Sequence, residues 1–108
     1  MAYNEDQLQY IQDQLTSFGP FETKKMFGGI GFFKEGTMFG MIAKDTFRLR
    51  VDAQNQPDYE TAGMKPYGIA GKKKGMPYWE VPVDVLEDKE QVVIWAQNAY
   101  DAALRAKK

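Results

Sequence analysis

The sequence contains no cysteine and no histidine. The first absence excludes a disulfide framework, a thiol nucleophile and thiolate metal sites, and it agrees with a reducing compartment. The second removes the commonest general base and the commonest transition-metal ligand, so Ser-His-Asp triads and histidine-ligated zinc are excluded with it. An excess of positive charge is also missing: 14 Lys and Arg against 15 Asp and Glu give a formal net charge of −1. Strong nonspecific binding to a phosphate backbone needs the opposite balance, which leaves only a local basic patch for any nucleic-acid contact. No apolar run approaches the roughly 20 residues that cross a bilayer. The stretch Met1 to Asp6 has neither the basic nor the apolar region of a signal peptide. These absences point to a cytoplasmic, non-enzymatic protein with no cofactor, no metal and no membrane association.

What is present is an ordinary globular composition, 44% hydrophobic and 27% charged, in 108 residues. That length is read as one domain, residues 1–108, with a single core. Leu8, Ile11, Leu15 and Phe18 recur at helical spacing. Asn4 and Gln7 are placed as a capping pair before them, and Gly19-Pro20 is a stop signal after them. The other face of this helix, Glu5, Asp6, Gln9, Gln12, Asp13 and Gln14, reads as solvated.

From residue 22 the period shifts towards two, predicting strands over 22–27, 30–35, 37–43 and 46–52. Gly28-Gly29, Gly36 and Lys44-Asp45 separate them, spacers short enough for an antiparallel meander. In the fourth strand Phe47, Leu49 and Val51 alternate with Thr46, Arg48, Arg50 and Asp52, the pattern of a sheet with one packed and one wet face. Pro57 opens a short helix that ends at Gly63. Two further strands, 66–70 and Tyr78–Val83, flank a basic loop from Gly71 to Pro77, and Pro82 marks the second of them as an edge strand or as ending there. Asp88 and Gln91 then cap a long helix reaching about Ala106. The fold class is α+β: two layers, an antiparallel sheet with helices packed on one face, in the order α-β(3-4)-α-β(2)-α.

The stretch "KKMFGGIGFF" lacks the Lys-Ser or Lys-Thr ending of a phosphate loop, and a strand rather than a helix follows it. Its glycines are read as places where a strand bends, bulges or approaches another backbone closely. Lys24, Lys25, Arg48, Arg50 and the triplet Lys72, Lys73, Lys74 are the basic candidates for a contact surface, with Tyr78 and Trp79 as aromatic neighbours. Aromatic and basic residues on a sheet are also what single-stranded nucleic acids bind. Asp84, Glu87, Asp88 and Glu90 match no calcium-loop spacing. The six methionines are read chiefly as core filler, an adaptable protein-binding surface being the second reading.

Taken in order, "KKMFGGIGFFKEGTMFGMIAKDTFRLRVD", "GMPYWEVPVDVLED" and "WAQNAYDAA" resemble the N-terminal domain of the TfoX/Sxy family of competence regulators. The likeness is carried by Met26, Phe27, Gly28, Gly29 and Gly31, by Met38-Phe39, by Phe47 to Asp52 and by Tyr78 to Pro82. It implies a bacterial cytoplasmic protein with a fold similar to secretion chaperones, and no C-terminal TfoX domain is expected within this chain. The resemblance further implies a role in the positive regulation of DNA-uptake genes, exercised by full-length members with the cyclic-AMP receptor protein. The implied partners are therefore that receptor or the transcription machinery. Direct nucleic-acid contact, weak or indirect, and a chaperone-like peptide-binding role are the alternatives, and an edge strand or bare sheet face would also admit a homodimer.

Overall fold

A computed structural model describes residues 5–26, 29–43, 46–64, 66–67 and 76–106. Its elements are α1 (Glu5–Gln14), a 3-10 turn (Thr16–Phe18), β1 (Glu22–Met26), β2 (Gly29–Lys34), β3 (Thr37–Ala43), β4 (Thr46–Arg50), α2 (Gln56–Thr61), β5 (Pro66–Tyr67), β6 (Met76–Glu80), α3 (Val83–Leu86) and α4 (Lys89–Ala106). The sheet runs β1-β2-β3-β4-β6-β5 with every neighbouring pair antiparallel. Helices cover one face, so the α+β two-layer architecture and its order are those expected. No helix among the described residues is long and apolar enough to cross a membrane.

The core lies between sheet and helices. Ile30, Phe32, Phe39, Ile42, Phe47 and Leu49 meet Ile11, Leu15 and Phe18 from the first helical segment and Val92, Ala96 and Ala99 from α4. Alternation in β4 is as read, with Phe47, Leu49 and Val51 buried between half-exposed neighbours. Between β2 and β3 the register shifts at Phe32/Phe33: Phe32 opposes Gly40, while Phe33 opposes Met38. Phe39 is the extra residue of this bulge, which turns its ring into the core 5.1 Å from Phe18. The hairpin itself turns on Glu35 and Gly36, at φ 50° and 79°. Positive φ at both central positions gives the twist that a two-residue β-hairpin needs.

Several boundaries differ from expectation for identifiable reasons. The first helix stops at Gln14 because Thr16 Oγ1 donates to the Asp13 carbonyl at 2.7 Å and Phe18 N bonds Leu15 O, tightening the chain into a 3-10 turn. Gln14 is not solvated; it is buried, and its Nε2 donates to Leu86 O at 2.8 Å, tying α1 to α3. Pro77 belongs to β6 rather than to a loop, and its carbonyl accepts from Val51 N. β6 is not an edge strand, since β5 pairs along its far side. It ends at Glu80, and Pro82 leads into α3, a single turn that sequence patterning did not separate from the strand. The expected residues 68–70 of β5 and the basic stretch 71–75 lie outside the described residues, as do Asn4 and Lys107-Lys108.

Two polar devices fix α4. Asp88 Oδ1 accepts from the backbone N–H groups of Glu90 and Gln91 at 3.0 and 3.1 Å, the cap read from the sequence. At the other end Arg105 forms a two-pronged pair with Asp52, Nε to Oδ2 at 2.6 Å and Nη2 to Oδ1 at 2.9 Å. Asn55 braces the same corner, accepting from Asp52 N and donating to Arg50 O. Hydrogen bonds from Arg105 hold the Asp52 carboxyl below its ordinary pKa of 3.8.

Asp88→Ala is expected to cost about 1 kcal/mol of unfolding free energy, with Asp88→Asn retaining most of it, measured by urea denaturation. A native pKa below the unfolded one means the Asp52 contribution is present above 3.8 and is lost as pH falls through the lowered native value. Asp52→Asn should therefore flatten the acid limb of the stability-against-pH curve and leave its neutral-to-alkaline shape unchanged.

Candidate interaction surface

Residues directly opposite in an antiparallel pair share a face, so the registers sort the sheet into two sides. Ile30 and Phe32 point to the helices, and so therefore do Lys25 and Thr23 opposite them. On the other side lies the row Lys24, Gly31, Met41, Arg48, Glu80. Glu22, Phe33 and Met38 form a second row of that open face, and Arg50 and Tyr78 a third.

The open face is apolar at its centre. Met26 and Phe33 close over Gly31, where a Cβ would meet Met26 Sδ at 2.5 Å and Phe33 Cε1 at 2.9 Å. Met38 is half-buried and Met41 is 8% exposed. Met26 and Met38 are half-buried on the face away from the helices and Met41 is buried on that same face, whereas Met64 packs against the helix-side core. The bulge is why patterning could not show this, since it changes which parity of β3 faces the helices.

The predicted basic residues are divided by the fold. Lys24 is exposed with its Nζ 5.2 Å from the Phe33 ring centre. Lys25, also exposed, points to the helix side and lines a groove beside α1. Arg48 donates from Nη1 to Ala43 O at 2.7 Å, which secures the β3–β4 connection. Arg50 lies over Tyr78, 5.7 Å from guanidinium carbon to ring centre, and its Nε is buried with no hydrogen-bond partner among the described residues. Tyr78 itself is 5% exposed, so it supports Arg50 and offers little surface of its own. Trp79 points the other way, 6.1 Å from Tyr59, which in turn sits 4.6 Å from Trp95. Phe27, Gly28 and Lys72, Lys73 and Lys74 lie outside the described residues.

No group of three or more acidic residues among those described is placed to hold a metal ion. The carboxylates ahead of α4 serve its first turn through Asp88 instead. Among the described residues, pKa values are displaced at Asp52 and Arg105, which pair, at Tyr100, whose hydroxyl donates to Glu35, and at Tyr59, raised by burial in the core. None of these makes a nucleophile and base pair.

A family model of the TfoX N-terminal domain matches residues 13–103. The chain belongs to that family. No curated protein matches the sequence closely enough to count as a relative. The TfoX N-terminal domain is a regulatory domain. Gly29 and Gly31, two of the glycines in the stretch that carried the resemblance, have a visible structural cause here. A Cβ at Gly29 would overlap the Ile42 carbonyl oxygen, a backbone atom of the neighbouring strand. At Gly31 the obstruction is the end of a flexible thioether and the rim of a ring.

Gly29→Ala should accordingly destabilise the fold by about 1–3 kcal/mol, because β2 and β3 must part to admit the methyl. Gly31→Ala should cost less than about 1 kcal/mol, because Met26 can swing away. Denaturant midpoints of the two variants measured side by side test the contrast.

Proposed function

We propose that this TfoX N-terminal domain acts as a non-enzymatic regulatory module, holding a protein partner against the open face of its sheet. The reading rests on the part-exposed patch of Met26, Phe33 and Met38, backed by buried Met41 and bordered by Arg48 and Arg50. Thioethers are polarizable and unbranched, so such a patch adapts to the relief of a partner, and Arg50 favours an acidic margin around an apolar segment. Family resemblance supplies the partner class: transcription machinery, with the cyclic-AMP receptor protein as the first candidate, in the cytoplasm.

Direct nucleic-acid binding has less support from the same face. Arg48 is engaged at the β3–β4 connection, Glu80 lies beside it at the end of the row that holds Lys24, and the row of Glu22 carries no basic residue. A phosphate-tracking groove would need a continuous positive stripe.

The test is fluorescence anisotropy of labelled competence-type promoter DNA, titrated with the protein with and without the cyclic-AMP receptor protein. A rise only when the receptor is present, weakened about tenfold or more by Met38→Asp or Arg50→Glu, is the expected result. A rise without the receptor that falls steeply with salt would replace this reading with direct DNA binding. No response in either arm would overturn the proposed partner.

A further inference from the structure

β1 is an end strand of the sheet. Which of its backbone groups face outwards follows from the ladder. Across β4 and β6, Val51 N donates to Pro77 O and Val81 N to Phe47 O. Alternation in antiparallel pairs then turns the backbone of Arg48 towards Met41, that of Ile42 towards Ile30, and those of Gly29 and Gly31 towards Met26 and Lys24. The N–H and C=O groups of Thr23 and Lys25 are left pointing away from the sheet. A row of this kind is a template for another strand, and exposed lysines such as Lys24 and Lys25 normally discourage one.

The charge pattern Glu22-Thr23-Lys24-Lys25 makes one occupant an exception. Two copies of β1 pairing antiparallel about a two-fold axis must place one residue opposite its own copy. Centred on Glu22, Lys24 or Lys25, the axis sets like charges face to face. Centred on Thr23, it sets threonine against threonine and brings Glu22 opposite the partner's Lys24, twice by symmetry. The backbone agrees with this register: Thr23 meets the partner's Thr23 and Phe21 meets the partner's Lys25, both as hydrogen-bonded pairs. Glu22 and the partner's Lys24 fall at the non-hydrogen-bonded sites, where side chains come closest.

We infer that β1 is a self-complementary edge through which two copies of this chain join into one continuous antiparallel sheet, in the register centred on Thr23. The helix side leaves room for it. Beside β1, a groove of about 400 Å³ lined by Leu8, Gln9, Gln12, Thr23, Lys25 and Ile30 stands open next to α1. The two copies of this groove meet at the axis. An unrelated strand would face Lys24 without the answering glutamate, so the lysine excludes other partners while admitting a second copy.

Sedimentation equilibrium of the full chain, from micromolar to near-millimolar concentration, should show a species of twice the 12.3 kDa chain mass. Lys24→Glu turns both cross-axis attractions into repulsions and is expected to raise the dimer dissociation constant by about tenfold or more. Adding Glu22→Lys to that variant restores opposite charges and should return the constant close to that of the parent. Thr23→Pro, which removes an outward N–H that β2 does not use, should abolish the dimer while circular dichroism shows the fold retained. A parent chain that stays monomeric throughout, or a dimer indifferent to Lys24→Glu and Thr23→Pro, would overturn the inference. The dimer is read at the outward backbone of β1 and the receptor contact at Met38 in β3 and Arg50 in β4, so failure here leaves the receptor-binding test of the open face unaffected.

Discussion

The constraint on which the rest of this structure depends is the close approach of α4 to the sheet. Four of the six buried side chains of the helix are alanines, Ala96, Ala99, Ala102 and Ala103, beside Val92 and Tyr100, and they meet strands that supply Phe32, Phe39, Phe47 and Leu49. Small residues on the helix and large ones on the strands let the two layers interlock, with the rings filling the gap that a leucine-rich helix would have filled itself. Most of the aromatic bulk of α4 is displaced to its flanks as a result. Trp95 leans on Tyr59 and, beyond it, Trp79, while Tyr100 reaches Glu35 at the β2–β3 turn. With both helical segments committed to one side, the opposite side of the sheet receives no helix among the described residues, and Met26 and Met38 are left part-exposed there.

Polar contacts then hold the ends of elements that apolar packing alone would leave free to slide. Lys34 is the clearest case: its ammonium donates to Phe18 O at 3.2 Å while lying 4.1 Å from the Phe18 ring centre and 5.4 Å from that of Tyr100. One cation thus links the 3-10 turn, the β2–β3 hairpin and α4. Asp52, Asn55 and Arg105 do the same for the exit of β4, and Gln14 for α3. Each joins segments far apart in sequence, and each satisfies a backbone carbonyl or a charge that packing had partly withdrawn from water.

Much of this was legible in the chain because it depends on local rules. The Phe47, Leu49, Val51 alternation, the Asp88 cap, the proline-initiated α2 and the meander spacers each act within a few residues, so patterning reads them directly. What it could not read is where the period breaks or where a distant segment decides. The extra residue Phe39 shifts the parity of β3, so that Met38 and Met41 both face away from the helices despite lying three positions apart. Tyr78 and Trp79 looked alike as aromatic neighbours of basic residues, yet adjacent positions in a strand face opposite ways, and only the pairing with Arg50 and Leu49 says which. Gln14 appeared to belong to a wet helical face until Leu86 arrived from the far end of the chain. Edge status is likewise a property of the whole sheet: Pro82 left the Tyr78 strand as an edge or as ending there, β5 removes the first alternative, and the end of β6 at Glu80 is the second.

The order of the strands also bears on how the chain reaches this state. β1, β2 and β3 pair only with their immediate neighbours in sequence, across short connections, whereas the second partner of β4 is β6, with α2 and β5 intervening. Loop-closure entropy rises with the length enclosed and slows the formation of non-local contacts. Within the sheet that cost is concentrated in a single event, the arrival of Tyr78, Trp79 and Glu80 alongside Arg50, Leu49 and Arg48. The four-stranded meander is therefore the part of the sheet that topology allows to assemble early, and the β4–β6 seam is the step where sequence distance sets the pace.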